Sequence, residues 1–277
     1  MRLDLLAALS GILISLQART NGELSLRLNN GLQAAFISFG SGLILIAIIS
    51  LFNPTIKSGV RRLRAAVVAK EIAPWTLFAG ALGGTFVAVQ TQIVPLIGVA
   101  IYSVASIAGQ GATSLIVDRI EAKDLSLIAV FFAGLAGAIV GVQRAMNGLI
   151  NEHSQQSFTT SLLNFIMGTT TLGVVLLIAV AIGKVEFVAL PAGPWWIYMG
   201  GVIGVIYIAF TSTIVQHLGV LTFTIFSTGG QLIGALFIDL ISPTKGVSVS
   251  AYLVSGIVMT FLGVLVGGAN SSKSSKR

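Results

Sequence analysis

Apolar residues run through this chain in long unbroken blocks separated by short polar stretches, without the ten-residue alternation that marks membrane strands. Blocks long enough to cross a hydrocarbon core, about 20 helical residues, fall near 3–20, 31–52, 74–94, 97–117, 126–146, 158–182, 194–214, 218–240 and 250–269. The pattern predicts nine transmembrane helices, or ten if a re-entrant or hidden span exists. The third and fourth blocks are joined only by Val94-Pro95-Leu96-Ile97-Gly98, where proline and glycine together predict a tight reversal rather than one long helix. Asn53 to Ala73 carries Lys57, Arg61, Arg62, Arg64 and Lys70, and reads as a basic loop with room for a short interfacial helix. Ser271 to Arg277 reads as a disordered basic tail.

Composition changes the picture from "apolar" to "solvated by lipid". Hydrophobic residues make up 55% of the chain and charged residues 9%, against about 25% charged in soluble domains. Glycine occurs 32 times, which suits close helix crossings. Cysteine is absent, so disulfides, thiolate metal sites and a cysteine nucleophile are excluded. The formal charge of +7 sits mainly in loops, where it orients a membrane protein rather than binding nucleic acid. Arg2 followed by a short apolar stretch and Leu16-Gln17-Ala18 has the features of a cleavable signal. The stretch recurs internally, where no signal acts, and is expected to be the first span.

The chain repeats itself. Ser10 to Gly22 returns 126 positions later as Ala136 to Gly148, and Val94 to Ile120 returns 121 positions later as Val215 to Ile241. Phe39/Phe165, Gly42/Gly168, Pro74-Trp75/Pro194-Trp195, Gly80/Gly200 and Thr91/Thr211 lie between these anchors. The expected division is a first repeat of four spans over 1–124, a second of five over 125–270, and the tail at 271–277. Two duplicated apolar halves are a common plan of secondary transporters, with the solute site between them.

Orientation is contradictory at this level. Counted on alternate sides of nine spans, ten basic residues face one side and six the other. The 53–73 loop therefore belongs in the cytoplasm with the N-terminus, leaving Lys273, Lys276 and Arg277 outside against the same rule. The matching loop of the second half, 183–193, holds only Lys184 and Glu186, as inverted halves require. The repeated first spans nonetheless lie four spans apart, which predicts parallel halves.

Gln-x-x-x-Asn-Gly in the first span, Ser38-Phe39 to Gly42 in the second, and Pro-Trp opening the third resemble the YdcZ-like inner-membrane exporters, a branch of the drug/metabolite transporters. Gly109-Gln110 to Asp118 and Gly230-Gln231 to Asp239 in the fourth spans complete the resemblance, which covers the whole chain as two fused units. It implies export of a small metabolite or xenobiotic. Such units have five spans each and opposite orientation when fused. Here the 28 residues from Glu121 to Gly148 hold one helix where two are required.

Candidate pathway residues are Gln17 with Asn21 and Gln143 with Asn147, each pair on one helix face, and Gln110 and Gln231, deeper in their spans behind a glycine. Amides offer donors and acceptors to a polar solute; the competing role is hydrogen bonding between helices. Gln17 and Asn21 near a span end also suit a cap. Asp118 and Asp239 close the fourth spans as charge partners or, by preference, as caps of the following segment at the water interface. Arg144, beside Gln143, suits a substrate anion or a headgroup. His217 and Glu152-His153 have no metal spacing, no Walker motif occurs, and no metal, cofactor or catalytic set is expected. The expected partners are a small-molecule solute and the bilayer, with a homodimer left open. The chain reads as an alternating-access exporter; the alternative is a non-transporting membrane scaffold or lipid-binding subunit.

Overall fold

The structure, a computed structural model, describes residues 3–111, 127–218, 220–243, 254–259 and 262. Every regular element among them is helical: α1 (Leu3–Leu28), α2 (Gly31–Phe52), α3 (Pro54–Val68), α4 (Ala79–Gly111), α5 (Leu127–Ser154), α6 (Ser157–Ala181), α7 (Gly200–Leu218) and α8 (Val220–Ile241). Short 3-10 turns, Pro74–Phe78 and Trp195–Tyr198, lead into α4 and α7. By length and hydropathy, six stretches among the described residues can cross a bilayer. One of these, Pro74–Ile107, contains the third predicted span and the first part of the fourth.

That stretch is a hairpin. Gly98, at φ 80° and ψ 168°, ends the first limb in a conformation closed to residues with a Cβ. The Phe86 and Tyr102 ring centroids lie 6.1 Å apart, whereas a straight helix would separate these residues by about 24 Å at 1.5 Å per residue. The reversal expected at Pro95–Gly98 is thus present.

Local sequence explains the other boundaries. Asn29 (φ 48°) and Gln155 (φ 50°) turn the chain in the left-handed region after α1 and α5. Asn30 and Gln156 then cap the next helices, accepting from the Gln33 N–H at 2.9 Å and the Phe158 N–H at 3.2 Å. Asn53 caps α3, with Pro54 in the first turn. α3 buries Ile56, Gly59, Leu63 and Ala66 and exposes Lys57, Arg61, Arg62 and Arg64, as an interfacial helix does. Arg62 ties it to the end of α5 through the Ser154 carbonyl at 2.8 Å.

α1 and α5 are longer than the runs 3–20 and 126–146 suggest. Arg19 pairs with Glu23 at 3.4 Å, and Glu23 with Arg27 at 2.9 Å, so α1 carries its charges in mutual pairs and continues to Leu28. Gln17 and Asn21 therefore lie within the helix, 5% and 0% exposed, and neither caps it.

Helix directions follow from which residues meet. Gly42 faces the Phe165 ring, Gly168 faces the Phe39 ring and Gly173 faces Phe36. Numbers rise along α2 as they fall along α6, so these helices are antiparallel. Gly22 lies on Val94, and Ile14 and Gln17 lie beside Gly83 to Val87, so α1 runs with the first limb of α4. Gln143 lies on Gly83 while Met146 and Ile150 cluster with Ala79 and Ile72, so α5 runs against that limb. α1 and α5 thus point in opposite directions, and the parallel arrangement expected from span counting is not what the packing has.

Candidate functional site

The polar residues of α1 and α5 converge where α2 and α6 cross. The Phe39 and Phe165 rings, matching positions of the duplicated segments, sit 5.0 Å apart. A Cβ on Gly42 would come within 2.1 Å of the Phe165 ring, and one on Gly168 within 2.2 Å of the Phe39 ring. Such reciprocal contact is the signature of a local two-fold. Around it lies a cavity of about 30 Å³ lined by Ile14, Gln17, Phe39, Gly83, Phe86, Val87, Val140, Gln143, Asn164, Phe165, Gly204, Tyr207 and Ile208. Twelve of these thirteen form matched pairs, at offset 126 in the first two spans and 121 in the third. The third-span offset of 120 expected from Gly80/Gly200 and Thr91/Thr211 is off by one residue. Gly80 packs on the Asn164 backbone and Gly201 on the Ser38 backbone, so Gly80 matches Gly201.

The pairs are not used alike. Gln143 Nε2 donates to Asn164 Oδ1 at 3.0 Å, and Asn164 Nδ2 donates to Asn147 Oδ1 at 2.6 Å. In the other half Gln17 Nε2 donates to the Gly200 carbonyl at 3.0 Å. The Asn164 counterpart is Ser38, whose shorter side chain leaves its own Oγ and both amide atoms of Asn21 buried without a partner. Arg144, 4% exposed, donates from Nε and Nη2 to the Tyr207 hydroxyl at 3.4 and 3.1 Å and lies 5.4 Å from the centroid of the Phe223 ring. It does not snorkel to the headgroups.

Along α5, Gln143, Asn147 and Asn151 line one face at four-residue spacing. Asn151 is buried, donates to the Ser212 carbonyl at 3.0 Å, and keeps Oδ1 unpartnered. It borders an open polar recess of about 700 Å³ with Glu152, Gln155, Gln156, Ser157, Thr213 and Gln216. The recess lies at the α3 end of the bundle, since Gln156 donates to Thr55 Oγ1 at 2.5 Å. At the opposite end the 183–193 segment covers the α1–α2 turn. Gln33 brackets Val188, donating to its carbonyl at 2.5 Å and accepting from its N–H at 2.9 Å.

Gln231 is elsewhere. It sits 2% exposed in the α1–α8 seam, where Ser15 donates to its carbonyl at 2.8 Å and Gly11 packs on its backbone. It does not line the central cavity, although its Oε1 has no partner. Asp239 is likewise buried within the protein: it is 4% exposed and accepts from the backbone N–H of Ala100 at 2.7 Å and of Val99 at 3.4 Å. It caps the second limb of α4, across the bundle. Asp118 and the Gln110 side chain fall outside the described residues. Sequence reasoning passed over Asn164, Ser38, Asn151 and Tyr207. The repeated Ser38-Phe39/Asn164-Phe165 dipeptide was the available signal, since a mid-span asparagine needs a partner in lipid.

The fold and site define a multi-pass α-helical membrane protein with a small polar-edged cavity at the crossing of its central helices. Residues 3–125 and again 128–266 match the model of the family described as "Putative inner membrane exporter, YdcZ". The chain belongs to this family, and it is an inner-membrane protein of the exporter type. Comparison with curated proteins and with solved structures gave no match.

Proposed function

We propose that the chain is a secondary transporter built from two inverted copies of one unit, exporting a small solute by alternating access through the cavity between them. The observation that carries this reading is the cavity itself. It is lined by equivalent residues of both halves, and a file of amides (Gln143, Asn147, Asn151) leads from it to the open recess at the α3 end. Its volume fits a water molecule, far below the roughly 300–1,000 Å³ of small-molecule sites, so a solute enters only when the halves move apart. The basic face of α3 puts the recess on the cytoplasmic side, where an exporter loads. Walls of Phe39, Phe165, Phe86 and Tyr207 with amides from Gln17, Gln143 and Asn164 suit a small, uncharged, partly apolar solute. Gln17, Asn21, Gln143 and Asn147 are pathway residues on this reading, and Gln231 belongs to the α1–α8 seam.

The test is flux in liposomes without ATP, using a broad solute panel, for the native chain and for Gln143→Leu. Gradient-driven flux lost in folded Gln143→Leu supports the pathway. Absence of flux for every solute overturns it in favour of a scaffold, whereas unchanged flux in the variant removes Gln143 from the pathway.

A further inference from the structure

Among the described residues Asp239 is the one buried carboxylate, and it joins elements distant in the chain. Its side chain comes from α8, while the Val99 and Ala100 N–H groups it binds open the second limb of α4. Gly98 ends the first limb, which leaves those two donors without a helical partner. Two N–H groups at a helix N-terminus favour a negative ligand over a neutral one. Among the described residues the charged groups near it lie on α1: Arg19 donates to Ser242 Oγ at 3.1 Å beside Asp239 and pairs with Glu23 at 3.4 Å. The 254–259 segment packed along α8 has no ionisable side chain. This latch holds α8, α1 and the α4 reversal together at the end of the bundle away from the recess.

Resting on the transporter reading, we infer that Asp239 is a protonation-controlled latch on the far gate. As a carboxylate it keeps the far end closed. Taking up one proton from water on the side that opens, it becomes a neutral acid, loses the attraction of the helix terminus and of Arg19, and releases the second limb of α4. Return to the cytoplasm-facing state gives the proton back to the water of that same side, as the carboxylate regains the Val99 and Ala100 N–H groups.

The absence of native cysteine makes the test direct. Gln216→Cys places a thiol in the recess, and Val68→Cys, on the exposed end of α3, corrects for the pH dependence of the reagent. An impermeant maleimide is applied from the α3 side between pH 5.5 and 8. The Gln216/Val68 labelling ratio falls several-fold on acidification in the native background, stays low at every pH in Asp239→Asn, and keeps its pH response in Asp239→Glu. A ratio independent of pH in the native background, or a pH response surviving in Asp239→Asn, overturns the inference. Should Asp239→Asn not fold, the native series still decides, and Arg19→Gln must displace its midpoint. Solute flux with no pH-dependent ratio refutes the latch and leaves transport standing, whereas a pH-dependent ratio without solute flux strikes at transport alone.

Discussion

Replacing Asn164 with alanine and Ser38 with alanine perturbs equivalent positions that the structure uses differently. Asn164 makes two bonds to α5, to Gln143 at 3.0 Å and to Asn147 at 2.6 Å. Hydrogen bonds between membrane helices average about 0.6 kcal/mol, so losing both costs about 1.2 kcal/mol. Gln143 Nε2 and Asn147 Oδ1 are then left buried, where an orphaned group costs about 1–3 kcal/mol. A water in the cavity offsets part of that, because about 30 Å³ holds one. The expected total for Asn164→Ala is about 1–3 kcal/mol. Ser38 Oγ has no partner to lose, so Ser38→Ala is expected within about 0.5 kcal/mol of the native chain. Reversible unfolding in mixed micelles measures both. Equal losses, or a larger loss for Ser38→Ala, would refute the reasoning that the amide bridge exists in one half only.

Further outcomes follow from the packing. Gly42→Leu and Gly168→Leu each drive a side chain into the phenylalanine ring opposite; overpacking of this kind costs about 1–3 kcal/mol, read as loss of folded protein after detergent extraction. Gly230→Ala brings a Cβ within 1.8 Å of the Ala8 carbonyl oxygen, so α1 and α8 must separate, and the same readout should show less folded protein than the native chain. Gln33→Ala removes both bonds to Val188, and hydrogen exchange in 186–190 should accelerate while α2 stays protected.

Much of the fold was legible. Apolar runs located the helices, Pro95 with Gly98 located the hairpin, and the basic stretch from Asn53 to Ala73 left room for the interfacial helix that α3 is. Direction was not legible, because hydrophobic periodicity reads the same either way up a helix. The one-residue slip in the third span arose in the lead-in turns: α4 begins five residues after Pro74, whereas α7 begins six after Pro194. Gln17, Asn21, Gln143 and Asn147 were found from their spacing and their repetition. Asp239 was misplaced because its partners are backbone N–H groups about 140 residues away, which no side-chain pattern announces. Gln231 looked like a pathway residue for its depth, its repetition at Gln110 and the glycine before it; that Gly230 serves the α1–α8 crossing.

The central claim is that the two halves are inverted, and sidedness of the two equivalent turns tests it most directly. Asn29 and Gln155 are matching, exposed positions after α1 and α5. Placed singly as cysteines in this cysteine-free chain, they can be labelled with an impermeant maleimide in intact cells and again after permeabilisation. Inverted halves predict that Asn29→Cys reacts in intact cells and Gln155→Cys only after permeabilisation. Labelling of both from the same side would contradict the account.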